Sequence, residues 1–506
     1  MKPFQNVENL NPGRSVFDLS HQKLLSCDMG ELIPILCEEM IPGDHFKMAN
    51  EMIIRMNPLV APIMHEINAT VHYFFVPYRI LDPDWEKFIT GDTLGDDATV
   101  LPRWIPTNVN QIPVGSLWDH LGFPPGIIPT DRCPMDYTRR SYIKIFNDFY
   151  RDQTLQTELD ITDLANSNIL YRNWEKDYFT SALLWQQRGT APSLPISGST
   201  SAVFGDVNQW VVNTITTNAI GGDANGGTGK MQAGGNTGRD NALAYFQNNT
   251  VDLSVASTFD IADLRLAFQI QRFMERNARS GVRYTEFLKA HFGTSPRDDR
   301  LQRAEYVGGS KMPVITSEVL QTSSTDAVSP QGNMAGHGIS VSDSYCGSYR
   351  AQEFGIMMAI LSVMPKPMYS QGINRQFLRF TRYDFPFPEF ANLSEQAIER
   401  CELFVSAVAN ENKTVFGYQG RYDECRYKPN MFAGLMRTTT AGLAHWHLGR
   451  IFSTAPALNE TFIKCVPDKR IFAVTTQPGL IIHVGHKIRA VRPLPISPEP
   501  GLIDHH

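Results

Sequence analysis

Two stretches of the chain alternate apolar and polar positions at a period of two. In Ile67–Val76 (INATVHYFFV), Ile67, Ala69, Val71, Tyr73 and Phe75 fall on one face, with Asn68, Thr70 and His72 on the other. In Leu480–Val491 (LIIHVGHKIRAV), Ile482, Val484, Ile488 and Ala490 point one way and His483, Lys487 and Arg489 the other. Shorter strands are expected at Glu31–Cys37, Phe377–Tyr383, Glu402–Ala407 and Ile471–Val474, most of them bounded by Pro, Gly or Asp. Strands this far apart must pair over long range, which predicts a β-sandwich carrying large insertions. Helical periodicity is rarer. Met135–Tyr150 places Tyr142, Ile145, Phe146 and Phe149 on one stripe, and Ile261–Arg279 has Asp260 as an N-cap with Gly281 just beyond its end. Ser394–Cys401 is a weaker third helix.

Between the periodic segments lie two polar excursions. Within Ala191–Thr250, the run Gly221–Gly238 holds eight glycines in eighteen residues and has no apolar period. Thr316–Ser344 is similarly polar. Both are expected as surface loops rather than linkers, because structured segments resume on either side. No internal repeat appears.

Composition narrows the possible functions. Of the 506 residues, 42% are hydrophobic and only 19% charged, a shortfall of charge that excludes a disordered chain and points to surface covered by partners. The net charge of −6 gives no global basic field, so any contact with nucleic acid must be local. The first residues, MKPFQNVENLNPGR, lack a secretory h-region, and the longest apolar run, Gly355–Met364, is about half a membrane span before Pro365 and Pro367 end it. The seven cysteines are scattered without a C-x-x-C pair, so buried thiols in a reducing compartment are expected rather than disulfides or zinc.

Catalytic and metal motifs fail one by one. Gly226–Lys230 mimics part of a phosphate loop, but Ala224 stands at the first glycine position and Met231 replaces the hydroxyl. His445 and His447 share a face if extended, without a third ligand. Asp92, Asp96 and Asp97 depart from calcium-loop spacing. No metal, cofactor or catalytic residue is therefore assigned. One cluster does stand out. On a helix Arg265, Arg272, Arg276 and Arg279 project at about 0°, −20°, +20° and −40°, forming a narrow stripe. Salt bridges and contacts to the phosphates of a nucleic-acid backbone both fit this stripe. The same two readings apply to Lys487, Arg489 and Arg492 at the basic end of the last strand. Beyond it the alternating prolines of Arg492–Pro500 hold an extended tail, and Arg14–His21 is a short basic segment at the other end. Trp174, Trp210 and Trp446 leave a carbohydrate-binding or carbohydrate-active β-sandwich as a rival reading, and a small-oligomer spike or attachment protein is another.

Several segments are similar to the major capsid proteins of the Microviridae, the small tailless single-stranded DNA bacteriophages, gokushovirus type. They include FDLSHQKLLSCDMGELIPILCEEMIPGDHF (Phe17–Phe46), PLVAPIMHEINATVHYFFVPYRIL (Pro58–Leu81), WEKFITG (Trp85–Gly91) and LRLAFQIQRFMERNARSGVRYTEFLKAHFG (Leu264–Gly293). RLQRAEYVGG (Arg300–Gly309), QGINRQFLRFTRYDFPFPEF (Gln371–Phe390) and KIRAVRPLPISPEPGLIDH (Lys487–His505) complete the series in family order. The resemblance implies a mainly β fold, an eight-stranded antiparallel jelly roll with large loop insertions and a few helices. It also implies a non-enzymatic coat of 60 identical copies in a T=1 icosahedral shell around circular single-stranded DNA. The implied partners are a small basic internal protein, a pilot protein and a bacterial surface receptor, with assembly in the host cytoplasm. The domain expectation is one capsid domain over 1–506, with an N-terminal arm at 1–30 and a second polar loop at 316–344. The strand and arm at 487–506 close the chain. The insertion 191–250, including Gly221, Gly227, Lys230, Gly235 and Gly238, takes the role of a three-fold, host-facing protrusion.

Overall fold

The β-rich pattern folds into two antiparallel sheets. The computed structural model describes residues 13–90, 99–104, 111–127, 132–192, 261–320, 334–438 and 442–496. The main strands are β1 (Ser15–Asp18), β2 (His21–Cys27), β3 (Ile33–Met40), β4 (His45–Met56), β5 (Ile67–Pro77), β6 (Glu305–Leu320), β7 (Met334–Arg350) and β8 (Gly355–Pro365). A small hairpin-like pair, β9 (Glu395–Glu399) and β10 (Val415–Gly420), precedes the closing strand β11 (Leu480–Arg492). One sheet runs β2–β11–β4–β7 and the other β3–β8–β5–β6, and β6 bends to pair with β7 at the shared corner. This order is an eight-stranded jelly roll with β1 added beside β11. Residues 78–304 are inserted between β5 and β6, and residues 366–479 between β8 and β11.

The sandwich interior is filled by alternate residues of both sheets. Phe46, Met48, Met52 and Ile54 of β4 meet Val71, Tyr73 and Phe75 of β5 and Ile482, Val484 and Ile488 of β11. A second apolar layer lies on the other side of β5 and β8, where Phe74, Val76, Met358 and Ile360 pack against α1 (Tyr137–Ile145). The helix contributes Tyr142 and Ile145 to that layer, and the wider helical turn that continues it, Phe146–Tyr150, adds Phe146 and Phe149, the stripe the periodicity predicts. Buried on both faces, β8 carries an unbroken apolar run, which is why Gly355–Met364 shows no alternation. A third cluster, with Tyr178, Phe179, Ile398, Phe416 and Phe462, is built around β9 and β10 in the later insertion.

Several expectations are corrected. Ser394–Cys401 is strand rather than helix, because Glu395–Glu399 pairs with β10 and buries Ile398 completely. Phe377–Tyr383 and Glu402–Ala407 are turns and irregular chain, and Ile471–Val474 makes a single bridge from Phe472 to Leu59. The polar stretch 316–344 is not one loop. Its described ends belong to β6 and β7, whose inward row in β7 includes Gly336, Gly338 and Ser340. A Cβ on Gly336 would sit 2.5 Å from the Ala61 carbonyl oxygen, so close packing replaces the usual apolar signal. The N-terminal arm 1–30 is likewise sheet in its described part, β1 and β2 both pairing with β11. The rest of the arm, residues 1–12, lies outside the described residues, as does the tail from residue 497.

The pairing of β2 with β11 creates a pH liability. His486 is about 1% exposed, its Nε2 lies 3.2 Å from the Ile35 carbonyl oxygen, and its ring centre is 5.0 Å from that of His21. Burial holds its imidazole down at about 4, and burial does the same for His65 and His72. An imidazole depressed in the folded state contributes stability that is complete above its unfolded value of 6.5 and is lost as pH falls toward 4. Stability of the subunit is therefore expected to fall between pH 6.5 and 4, by up to roughly 3 kcal/mol through His486 alone. Urea midpoints across that window check this, and His486→Gln flattens the decline. An unchanged slope in that variant would show that His486 is not the cause.

Candidate functional site

Among the described residues, three of the seven cations singled out from sequence make ion pairs. On the outer face of β11, Lys487 Nζ lies 3.2 Å from Glu51 and 3.0 Å from Asp343, on the neighbouring β4 and β7. Arg492 binds buried Asp44 at 3.3 Å, donates to the Glu39 carbonyl at 2.7 Å and lies over the Phe46 ring. Arg489 is exposed, opposite Asp18 and Lys47 in register.

The chain divides into two compact units, residues 1–186 with 277–506, and residues 187–276. Within the second, α2 (Ile261–Ser280) carries Arg265, Arg272 and Arg276, all exposed and without an acidic partner among the described residues. Gln271 there donates to Glu275 at 2.9 Å. Arg279 belongs to the first unit, where it ion-pairs with buried Glu395 and donates to the Ser394 carbonyl at 3.0 Å. Gly221, Gly227, Lys230, Gly235 and Gly238 lie outside the described residues.

The metal candidates separate. His445 sits in a single turn, Ala444–Trp446, whereas His447 is buried, with Nε2 2.9 Å from the Met436 carbonyl and Nδ1 accepting from the Gly449 amide. Among the described residues no group of three ligand-type side chains is placed to hold a metal ion, and no disulfide forms. Trp174 is buried beneath the Arg450 guanidinium, so it offers no open face to a sugar. Asp92, Asp96, Asp97 and Trp210 fall outside the described residues.

Among the described residues a dense run of exposed rings begins where a strand is expected, at Phe377–Tyr383. Phe377–Phe390 turns repeatedly, and its rings face solvent: Phe380 is 84% and Phe377 73% exposed, with Tyr383, Phe385 and Phe387 also open. Asp384 takes the amides of Phe380 and Thr381 at 2.9 and 2.7 Å, and these bonds hold its carboxyl below the usual range. Pro386 and Pro388 deny the segment a strand ladder. Arg379 and Arg382 lie over Phe385 and Tyr383, at 5.3 and 4.6 Å from the ring centres. Arg375 fastens the start of the segment to buried Glu402 at 2.8 Å, whose other oxygen accepts from Tyr178 at 3.0 Å. An exposed apolar surface this dense, fixed by internal bonds, has the character of a protein interface. Its sequence signal was the interleaving of aromatics with arginines and prolines.

Residues 5–502 match the capsid protein (F protein) family. The chain belongs to that family. It is 33% identical to capsid protein VP1 of Chlamydia phage 1, over 99% of this chain and 97% of the relative. Capsid protein VP1 of Bdellovibrio phage phiMH2K is 32% identical, covering 97% and 96% of the two chains. That of Spiroplasma virus 4 is 30% identical, covering 97% and 95%. Membership agrees with the Microviridae resemblance and with the jelly roll. It also directs attention away from a catalytic cleft and toward surfaces that meet other copies.

Proposed function

We propose that this chain is the major capsid protein of a gokushovirus-type phage, 60 copies of which close a T=1 shell around circular single-stranded DNA. The observation that carries the reading is the family match, which runs almost from end to end of both this chain and its relatives. The jelly roll supplies a rigid tile, and the aromatic segment Phe377–Phe390 supplies a contact surface for a second copy. Symmetry repeats that contact in every subunit, so modest individual energies suffice. The role is structural and needs no turnover. A small basic internal protein, a pilot protein and a bacterial receptor complete the proposed partners, with assembly in the host cytoplasm and residence in the virion. The insertion 191–250 is assigned to host attachment.

Expression with the companion phage proteins, followed by sedimentation and electron microscopy, should yield closed particles. A monodisperse monomer in every ionic condition would defeat the coat reading. Deleting Gly221–Gly238 should leave shells intact while adsorption to host cells falls. Loss of shells in that variant would reassign the insertion to assembly.

A further inference from the structure

A cleft of about 690 Å³ opens in the first unit where β5 and β6 meet the end of the α1 segment, at a size suited to a small ligand. One side is aromatic. Tyr150 stacks on His72 with ring centres 5.9 Å apart, and its hydroxyl lies 2.8 Å from His72 Nδ1. Tyr306 meets the edges of His72 and Phe74, at 5.9 and 5.6 Å, and is itself about half exposed. Burial holds the His72 imidazole down at about 4, so near neutrality the ring is uncharged.

The other side carries Arg172. Its Nη1 donates to two neutral hydroxyls, Thr70 Oγ1 of β5 and Ser362 Oγ of β8, the latter at 2.8 Å. No carboxylate pairs with it among the described residues, and its guanidinium lies 5.9 Å from the Tyr150 ring centre. The remaining N–H groups on Nε and Nη2 have no acceptor among the described residues, although a guanidinium offers five donors. The other cations near the cleft are neutralised: Lys176 by Asp152, Lys311 by Glu175 and Arg303 by Asp298. Asn173 also lines the space, and its Oδ1 is a buried acceptor without a partner among the described residues.

A fixed, unneutralised arginine beside stacked aromatic faces and a spare amide acceptor fits an anion joined to a flat ring. We propose that this cleft binds one nucleotide unit of single-stranded DNA, with its phosphate on Arg172 and its base against the Tyr150, His72 and Tyr306 rings. An acidic peptide would satisfy the guanidinium but leave the rings without a stacking partner. The inference rests on the coat reading for the identity of the polymer. The chemistry of the cleft does not depend on it.

The test uses the full-length soluble chain and a fluorescently labelled oligo-dT, read by anisotropy across a salt series. Because Tyr306 is half exposed, Tyr306→Ala should fold normally, as circular dichroism can verify, and should weaken binding roughly 5- to 150-fold. Tyr306→Trp should retain binding. Arg172→Gln should lower the salt slope by about 0.7, the loss of one phosphate contact to a single strand. Unaltered affinity in Tyr306→Ala would overturn the assignment. So would loss of binding only when Arg265, Arg272 and Arg276 are changed to Gln, which would place the contact on α2. Competition by inorganic phosphate as effective as that by dTMP would reduce the cleft to an anion site and also overturn it. No binding by the parent chain, with closed shells seen by microscopy, would sink this inference while leaving the coat reading standing.

Discussion

Phe380→Asp is expected to give a normally folded subunit that no longer closes shells. Phe380 is 84% exposed and belongs to none of the four apolar clusters among the described residues, so the change should move the thermal midpoint very little. In the proposed contact with a second copy, an exposed aromatic ring is the kind of residue whose loss costs about 2 kcal/mol or more. A buried carboxylate adds a desolvation penalty, and symmetry imposes both at every repeat. Sedimentation of the variant beside the parent chain checks this. Normal particles from Phe380→Asp would remove Phe377–Phe390 from the assembly surface. Failure to fold would show that the segment packs within its own subunit.

Arg139→Met is expected to destabilise the fold by about 3–5 kcal/mol, because it strips buried Asp136 of one of its two counter-charges and leaves three carbonyls without their donor. Arg139 is fully buried at the start of α1 and makes five hydrogen bonds. Two go to Asp136, at 2.7 and 2.5 Å, and three to the carbonyls of Ile161, Asp163 and Asn166, at 3.0, 2.8 and 3.1 Å. All five donors of the guanidinium are thereby engaged. Arg140 shares Asp136 at 3.0 Å and ties the Leu81 carbonyl at 3.0 Å. The network thus anchors the long connection between β5 and β6 to the helix that roofs the sheet. Lysine, a point charge without the planar fork, should rescue Arg139→Met only weakly. Urea denaturation measures the difference, and a loss below about 1 kcal/mol would show that the network is dispensable.

The strands legible in sequence were β5, β11 and the first part of β3; β4 was not, although it alternates, and β8 registered only as a long apolar run. β11 alternates because one side meets the sandwich interior, whereas β5 alternates only as far as Tyr73, since Phe74 and Val76 pack beneath α1 on its other face. β7 shows no apolar alternation because the Ala61 backbone at Gly336 and the Met56 side chain at Gly338 fill the space its own inward side chains would take. Glu395–Glu399 read as helix because its strand character comes from β10, a partner that local pattern cannot reveal. The cations were legible as residue types but not as partners: Lys487 meets Asp343 across 144 positions of chain. The cleft was invisible for the same reason, since His72, Tyr150, Arg172 and Tyr306 come together only through the fold.

The place of β11 sets a condition on synthesis. Leu480–Arg492 is not an edge but the strand between β2 and β4, so one sheet lacks its middle until the residues from 28 to 479 have all been made. A prematurely terminated product therefore keeps β2 and β4 without the strand that joins them, and has no way to complete a tile. Synthesis through Arg492 thereby becomes the condition for a closed sheet, and a copy that stops before it is expected to be shut out of assembly.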